Sequence, residues 1–172
     1  MTAVTELTDA YQVAASTPDP ELPMLTIEDL GILRTVDYSP AGEDGGQVTV
    51  TITPTYSGCP AMREITADVH SRLIRAGFPH VTVNTQLAPP WTTDWITADG
   101  HRKLAASGIA PPTPAPGRSG PIPLTLTAPP APTCPRCGSF DTRRTAEFSA
   151  TACKSLYRCQ ACDEPFEGVK AL

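Results

Sequence analysis

The chain has 172 residues, 20 prolines and a formal net charge of -5. Residues 1–109 carry 13 acidic against 6 basic residues, and residues 110–172 carry 5 against 7; the larger part lacks the basic surface that phosphate neutralisation needs, and the tail's excess is too small for a nucleic-acid or membrane surface. No run approaches the ~18 apolar residues of a membrane span, and the acidic start MTAVTELTDAYQ does not read as a signal peptide, so the expected compartment is the cytoplasm, where thiols stay reduced.

Residues 4–16 set Val4, Leu7, Tyr11 and Ala14 or Ala15 at helical spacing, which predicts a first helix. Asp19-Pro20-Glu21 begins a turn, and Thr26 to Gly31 reads as one capped helical turn stopped by glycine. Ile32 to Tyr38 and Gln47 to Thr55 alternate apolar and polar residues around Glu43-Asp44-Gly45-Gly46, predicting an antiparallel hairpin. In its second strand Val48, Val50 and Ile52 share a face that a helix must cover.

Pro60 to Ala76 supplies that helix, with Met62, Ile65, Val69, Leu73 and Ala76 in one stripe and charged residues opposite. A third strand is expected over His80 to Leu87, and a last helix from Thr93 to Ser107, ended at Gly108. Residues 1–109 thus read as an α+β domain, a small three-stranded sheet covered by helices. Nine prolines then fall between Ala110 and Thr133, and a stretch almost without charge or period reads as a linker over 110–133.

Residues 134–172 form a separate module. Cys134-Pro-Arg-Cys137 and Cys159-Gln-Ala-Cys162 are two C-x-x-C knuckles with 21 residues between them, close to zinc-ribbon spacing. Three short strands, expected over Thr142–Phe148, Ser155–Cys159 and Pro165–Lys170, cannot build a sufficient core, so the metal must replace one. A four-sulfur tetrahedron serves zinc and rubredoxin-type iron alike; zinc is the expectation and iron the alternative. Cys153 makes the tail's cysteine count odd, and reads as a buried small residue, a reactive thiol or an exchangeable cluster ligand. Arg143, Arg144, Lys154 and Arg158 read as a solvated ribbon surface before a binding face.

Cys59 lies in Thr55-Tyr56-Ser57-Gly58-Cys59-Pro60, immediately before the amphipathic helix. Backbone N–H groups and the helix dipole there favour thiolate character, set against the plain reading of a buried, hydrophobe-like cysteine. Nothing else reads as catalytic. His70, His80 and His101 share no ligand spacing, and the chain has no helical Glu-x-x-His pair, glycine-rich dinucleotide fingerprint or nucleophile elbow. Trp91 and Trp95 read as packing anchors.

Asp19-Pro20-Glu21, Asp29-Leu30-Gly31-Ile32, Thr55 to Pro60 and the Trp91 segment ahead of Arg102 and Leu104 resemble the small iron-sulfur assembly family that includes bacterial SufT. With the run Pro89-Pro-Trp-Thr-Thr-Asp-Trp95 and the tail Cys134-Pro-Arg-Cys137-Gly to Glu164-Pro165-Phe166, the resemblance narrows to the PaaD family, accessory proteins of the multicomponent phenylacetyl-CoA epoxidase. It covers the chain apart from the linker.

The resemblance implies a non-enzymatic maturation factor in aerobic phenylacetate breakdown. Its partners would be the other epoxidase subunits, with the ferredoxin-type reductase as client, and a homodimer is left open. The family's reactive cysteine maps onto Cys59 and its acidic turn onto Asp19 and Glu21, which would support the Cys59 loop; a transient iron-sulfur cluster at Cys59 or Cys153 is the further cofactor expectation. Two other readings stand beside this one: a structural docking subunit without cluster chemistry, and a thiol-disulfide catalyst, for which no C-x-x-C opens a thioredoxin-like unit.

Overall fold

The computed structural model describes residues 3–40, 46–56, 58–113 and 131–171. They fall into two compact units: residues 1–91 with 95–100, and residues 92–94 with 101–172.

In the first unit, β1 (Leu33–Ser39) pairs antiparallel with β2 (Gln47–Ile52), and β3 (His80–Thr85) joins the other side of β2 in parallel. The parallel step needs a crossover, and α2 (Ala61–Arg75) provides it. The alternation in β2 does what its pattern requires: Val48, Val50 and Ile52 are fully buried. Ala61, Ile65, Val69 and Leu73 are the buried positions of α2, and the i, i+4 ion pair of Arg72 with Asp68 (2.7 Å) lies on its wetter side. The expected hairpin turn at 43–46 lies outside the described residues except for Gly46.

α1 (Ala3–Ala15) packs on β1 and α2, but not through its large apolar residues. Ala10, Ala14 and Ala15 are buried, while Val4, Leu7 and Tyr11 are exposed. Of the expected stripe only the alanine end is buried: small residues let the helix approach closely, and Tyr11 instead donates its hydroxyl to Glu28 Oε1 at 2.7 Å. Between α1 and β1 the chain has no period, yet Leu22, Leu25, Ile27, Leu30 and Ile32 are all buried. Reciprocal bonds shape this segment: Thr26 N–H donates to Asp29 Oδ2 and Asp29 N–H to Thr26 Oγ1, a one-turn capping box closed by Gly31 at φ +66°.

The last helix is shorter than expected. A 3-10 turn at Thr93–Trp95 is followed by α3 (Ala98–Ala106). Thr97 causes the break, for its Oγ1 accepts the Gly100 N–H at 3.0 Å as an N-cap while its own N–H donates to the Asp29 carbonyl. Trp91 is buried and donates its indole N–H to the Leu30 carbonyl at 2.8 Å; the Arg34 guanidinium lies over the Trp95 ring. Both tryptophans act as packing anchors. Leu87, expected on the apolar side of β3, lies beyond that strand's end and is exposed.

In the second unit a four-stranded sheet has the order β4-β7-β6-β5, built from β4 (Ile109–Ala110), β5 (Thr142–Ala146), β6 (Lys154–Cys159) and β7 (Pro165–Val169). Three strands are those expected: β5 ends two residues early, β7 one residue early, and β6 starts one residue early, at Lys154. The fourth is new: Ile109 and Ala110 pair in parallel with Glu167 and Gly168, so backbone pairing crosses the boundary drawn at 109. A two-residue strand has no period to read. Residues 114–130 of the expected linker lie outside the described residues. Among the described residues no helix is long and apolar enough to cross a membrane.

Candidate metal centre and thiol site

The ribbon's buried core consists of Ala110, Cys134, Cys159 and Phe166, with Tyr157 packed against it. Tyr157 stacks on Phe166 at 5.6 Å between ring centroids. Two of these four residues are sulfur donors, so the centre of the module is itself half of a ligand set. The other half, Cys137 and Cys162, is exposed.

Each knuckle folds by the same device. In the first, Cys134 N–H donates to the Ser139 carbonyl and Gly138 N–H to the Cys134 carbonyl, with Gly138 at φ +74°. In the second, Cys159 N–H donates to the Glu164 carbonyl, and the residue after Cys162 is Asp163 at φ +63°. Left-handed backbone favours glycine, and aspartate tolerates it better than most residues. Arg158 holds Asp163 in place, with Nε to Oδ1 at 2.7 Å and Nη2 to Oδ2 at 2.6 Å.

The four sulfurs all lie within 4.8 Å of one another, and none is in a disulfide. Cys134 Sγ to Cys162 Sγ is 3.9 Å and Cys137 Sγ to Cys159 Sγ is 3.5 Å. A tetrahedron of ~2.3 Å zinc–sulfur bonds has edges of ~3.8 Å, so the donor set fits the ion. The protonation pattern points the same way. N–H groups of Cys162 and Ala161 bring the Cys159 thiol down to about 7; Cys162, despite the Glu164 N–H that lowers it, is pushed up to about 12 by burial and by the neighbouring thiols. Four sulfurs this close cannot all ionise without a cation among them.

Cys153 is not part of this group. It precedes β6 while Cys159 ends it, a strand length of ~20 Å. Its Sγ lies 3.2 Å from Thr151 Oγ1, outside the four-sulfur set. Lys154 corrects another expectation: it is not a solvated charge but a buried one, with Nζ 2.7 Å from Glu167 Oε2. Ser149 Oγ donates to the other oxygen of the same carboxylate at 2.5 Å.

In the first unit Cys59 is half-buried one residue before the turn into α2, and its carbonyl accepts the Met62 N–H at 3.3 Å. The expected thiolate character does not appear. Burial pushes the thiol above its ordinary value, the Ala61 N–H and the Tyr56 and Thr55 hydroxyls pull it back, and the charge of Glu21 adds to the rise. The helix terminus is present, but desolvation outweighs it.

Asp19 is buried, and its Oδ1 accepts the N–H groups of Glu21 (2.9 Å) and Leu22 (2.8 Å), so it shapes the turn that carries Glu21. The hydroxyls of Thr55 and Tyr56 around the sulfur are what sequence reasoning passed over; two hydroxyl side chains just upstream of the cysteine were the available signal. Among the described residues no second group of three or more His, Cys, Asp or Glu ligand atoms gathers within reach of one ion.

Residues 15–84 match the model of an iron-sulfur cluster assembly protein domain, and residues 119–170 that of the PaaD zinc beta ribbon domain. The chain is 42% identical over 164 residues to an Escherichia coli (strain K12) protein named as a subunit of 1,2-phenylacetyl-CoA epoxidase, covering 95% of this chain and 92% of that one. It is 32% identical over 97 residues to an Fe-S protein maturation auxiliary factor of Porphyromonas gingivalis, covering 56% of this chain and 88% of that protein. A crystal structure of a domain of unknown function (DUF59) from Bacillus anthracis shares the fold, with a TM-score of 0.51 and 24% identity over 59% of this chain and 93% of that one. These relatives are named as a subunit and an auxiliary factor, which supports an accessory role. With the α+β unit and the four-cysteine ribbon both matched, the chain belongs to the PaaD family.

Proposed function

We propose that the chain is a non-catalytic accessory factor of the phenylacetyl-CoA epoxidase system that assists iron-sulfur cluster assembly on a partner subunit, with the ferredoxin-type reductase as client. The observation that carries this reading is the setting of Cys59: a half-buried thiol at a helix start, hydrogen-bonded by Ala61, Tyr56 and Thr55 and acted on by Glu21. A thiol held protonated does not react indiscriminately. It loses its proton when its sulfur binds iron, and Glu21, on the turn that Asp19 shapes, is the carboxylate whose charge reaches it.

The division of labour follows. Cys134, Cys137, Cys159 and Cys162 would hold zinc, whose four protein ligands leave no open position, so its contribution is structural. The ribbon would grip a client while Cys59 approaches it, the covalent link between the two modules raising the local concentration of each at the client. Cys153 has no role in this reading.

The test is co-production of the full chain, as wild type or Cys59→Ser, with the epoxidase subunits under anaerobic conditions. Iron, sulfide and the electron-paramagnetic-resonance signal of the reductase are then measured. The expected result is a several-fold drop in reductase cluster content with the variant's zinc content unchanged. Unchanged cluster content with intact association would overturn maturation and leave the docking subunit standing.

A further inference from the structure

The four-stranded sheet of the ribbon ends on β5, whose outer edge no described residue pairs. The ladder's phase can be read from one bond: Gln160 N–H donates to the Asp141 carbonyl at 2.8 Å. In an antiparallel pair hydrogen-bonded and non-bonded positions alternate, so Arg143 bonds to Arg158 while the N–H and C=O of Arg144 point away from β6. An open strand edge of this kind is a template for another strand.

Its flanks are equally unusual. Phe140 just before β5 is 83% exposed and Phe148 just after it is 61% exposed. Two large aromatics bracket five residues of open edge; the Lys170 ammonium lies 3.7 Å over the Phe148 ring, and the surface that both rings still expose is what a strand laid along β5 would cover at its ends.

The charges of the ribbon choose the occupant. Arg136, Arg144, Lys154, Arg158 and Lys170 each have a carboxylate within 4.0 Å. Arg143 has none among the described residues, and it stands directly opposite Arg158, a like charge that Asp163 already occupies. A strand added to β5 places one residue opposite Arg143 at a close, non-bonded position, with Cβ atoms ~4.5–5.5 Å apart. An acidic residue there completes the pair. A second copy of β5 about a two-fold axis brings another arginine pair to the same edge, so charge disfavours self-pairing.

We propose that the outer edge of β5 is a docking edge that accepts an extended segment of a partner protein, with an acidic residue opposite Arg143 and apolar residues against Phe140 and Phe148. This rests on the accessory-factor reading and deepens it by naming the surface through which the ribbon holds its client.

The test is a nuclear magnetic resonance titration of the full zinc-loaded chain with a short peptide of alternating valine and threonine carrying one central glutamate. Amide shifts confined to residues 140–148, binding about fivefold tighter than for the lysine version of the peptide, and reversal of that preference in Arg143→Glu are expected. N-methylation of alternate peptide amides is expected to abolish binding. Absence of binding at millimolar peptide, equal binding of the N-methylated peptide, or shifts placed on α1 instead would each overturn the proposal. So would concentration-dependent shifts of β5 without peptide, which would identify a second copy as the occupant. Cluster content in the Cys59→Ser experiment is independent of all these outcomes, so either idea can fail alone.

Discussion

The two units solve the same problem by opposite means. The first buries a continuous apolar core: Val48, Val50 and Ile52 from the sheet, Ile65, Val69 and Leu73 from α2, and Leu25, Ile27, Leu30 and Ile32 from the irregular segment before β1. The ribbon's hydrophobic cluster has four buried residues, two of them cysteines. One is held by the transfer of apolar area out of water, the other by a four-sulfur ligand set and the ion it would bind, and the two should therefore fail under different insults.

Metal removal gives the largest separation. Cys159→Ser takes away both a ligand and a core residue, and the ribbon should lose on the order of 10 kcal/mol of apparent folding free energy with its bound zinc. The first unit should keep its slowly exchanging amides. Hydrogen exchange with metal analysis checks this, and loss of protection in α2 and β2 alongside the ribbon would show that the units do not fold independently.

The complementary break is Leu73→Ala, which opens a cavity in the fully buried face of α2. About 3 kcal/mol should disappear from the first unit's unfolding transition, with zinc content unchanged. A denaturant titration that follows tryptophan fluorescence and metal release in the same sample separates the two. Equal loss in both transitions would mean that the contrast between the units has no energetic counterpart.

How much of this was legible in the sequence follows the same divide. β2 and α2 were readable because their periods and their burial coincide: alternate residues of β2 and the Ile65-Val69-Leu73 stripe are the core. The four ribbon ligands were readable because two pairs of cysteines at fixed spacing have one economical use. What was not legible depended on partners distant in sequence. Val4, Leu7 and Tyr11 had the right spacing but the wrong face, because the alanines of α1 permit closer packing. β4 exists only by its pairing with β7. The state of Cys59 turned on desolvation, which the chain acquires on folding; from sequence a helix start and a buried cysteine were both readable, and nothing local decided between their opposite signs.

The smallest effect tests whether the ribbon has any stabilising term besides its metal, and the pair Lys154–Glu167 is the place to look. Burial would raise Glu167, but the Lys154 ammonium and the Ser149 hydroxyl outweigh it and hold the carboxyl below its ordinary 4.5. A carboxyl whose folded value is depressed contributes stability that is fully present above its unfolded value and is lost as the pH falls through the folded one. This contribution is therefore constant from neutral pH down to about 5 and disappears only below 4.5. The four thiolates behave otherwise: protons compete with the metal for every one of them, so zinc binding weakens as the pH falls. Glu167→Gln should then cost about 2 kcal/mol evenly between pH 5.5 and 8, because it leaves the buried Lys154 ammonium without its counter-charge. The pH midpoint of zinc release should stay nearly where it is in the wild type, the metal and not the ion pair setting it. Denaturant unfolding at several pH values, with released zinc followed by a chromogenic chelator, measures both quantities. A loss that grows from pH 8 to pH 5.5 would show that ion pair and metal site are coupled through β6, the strand that carries Lys154 at one end and Cys159 at the other.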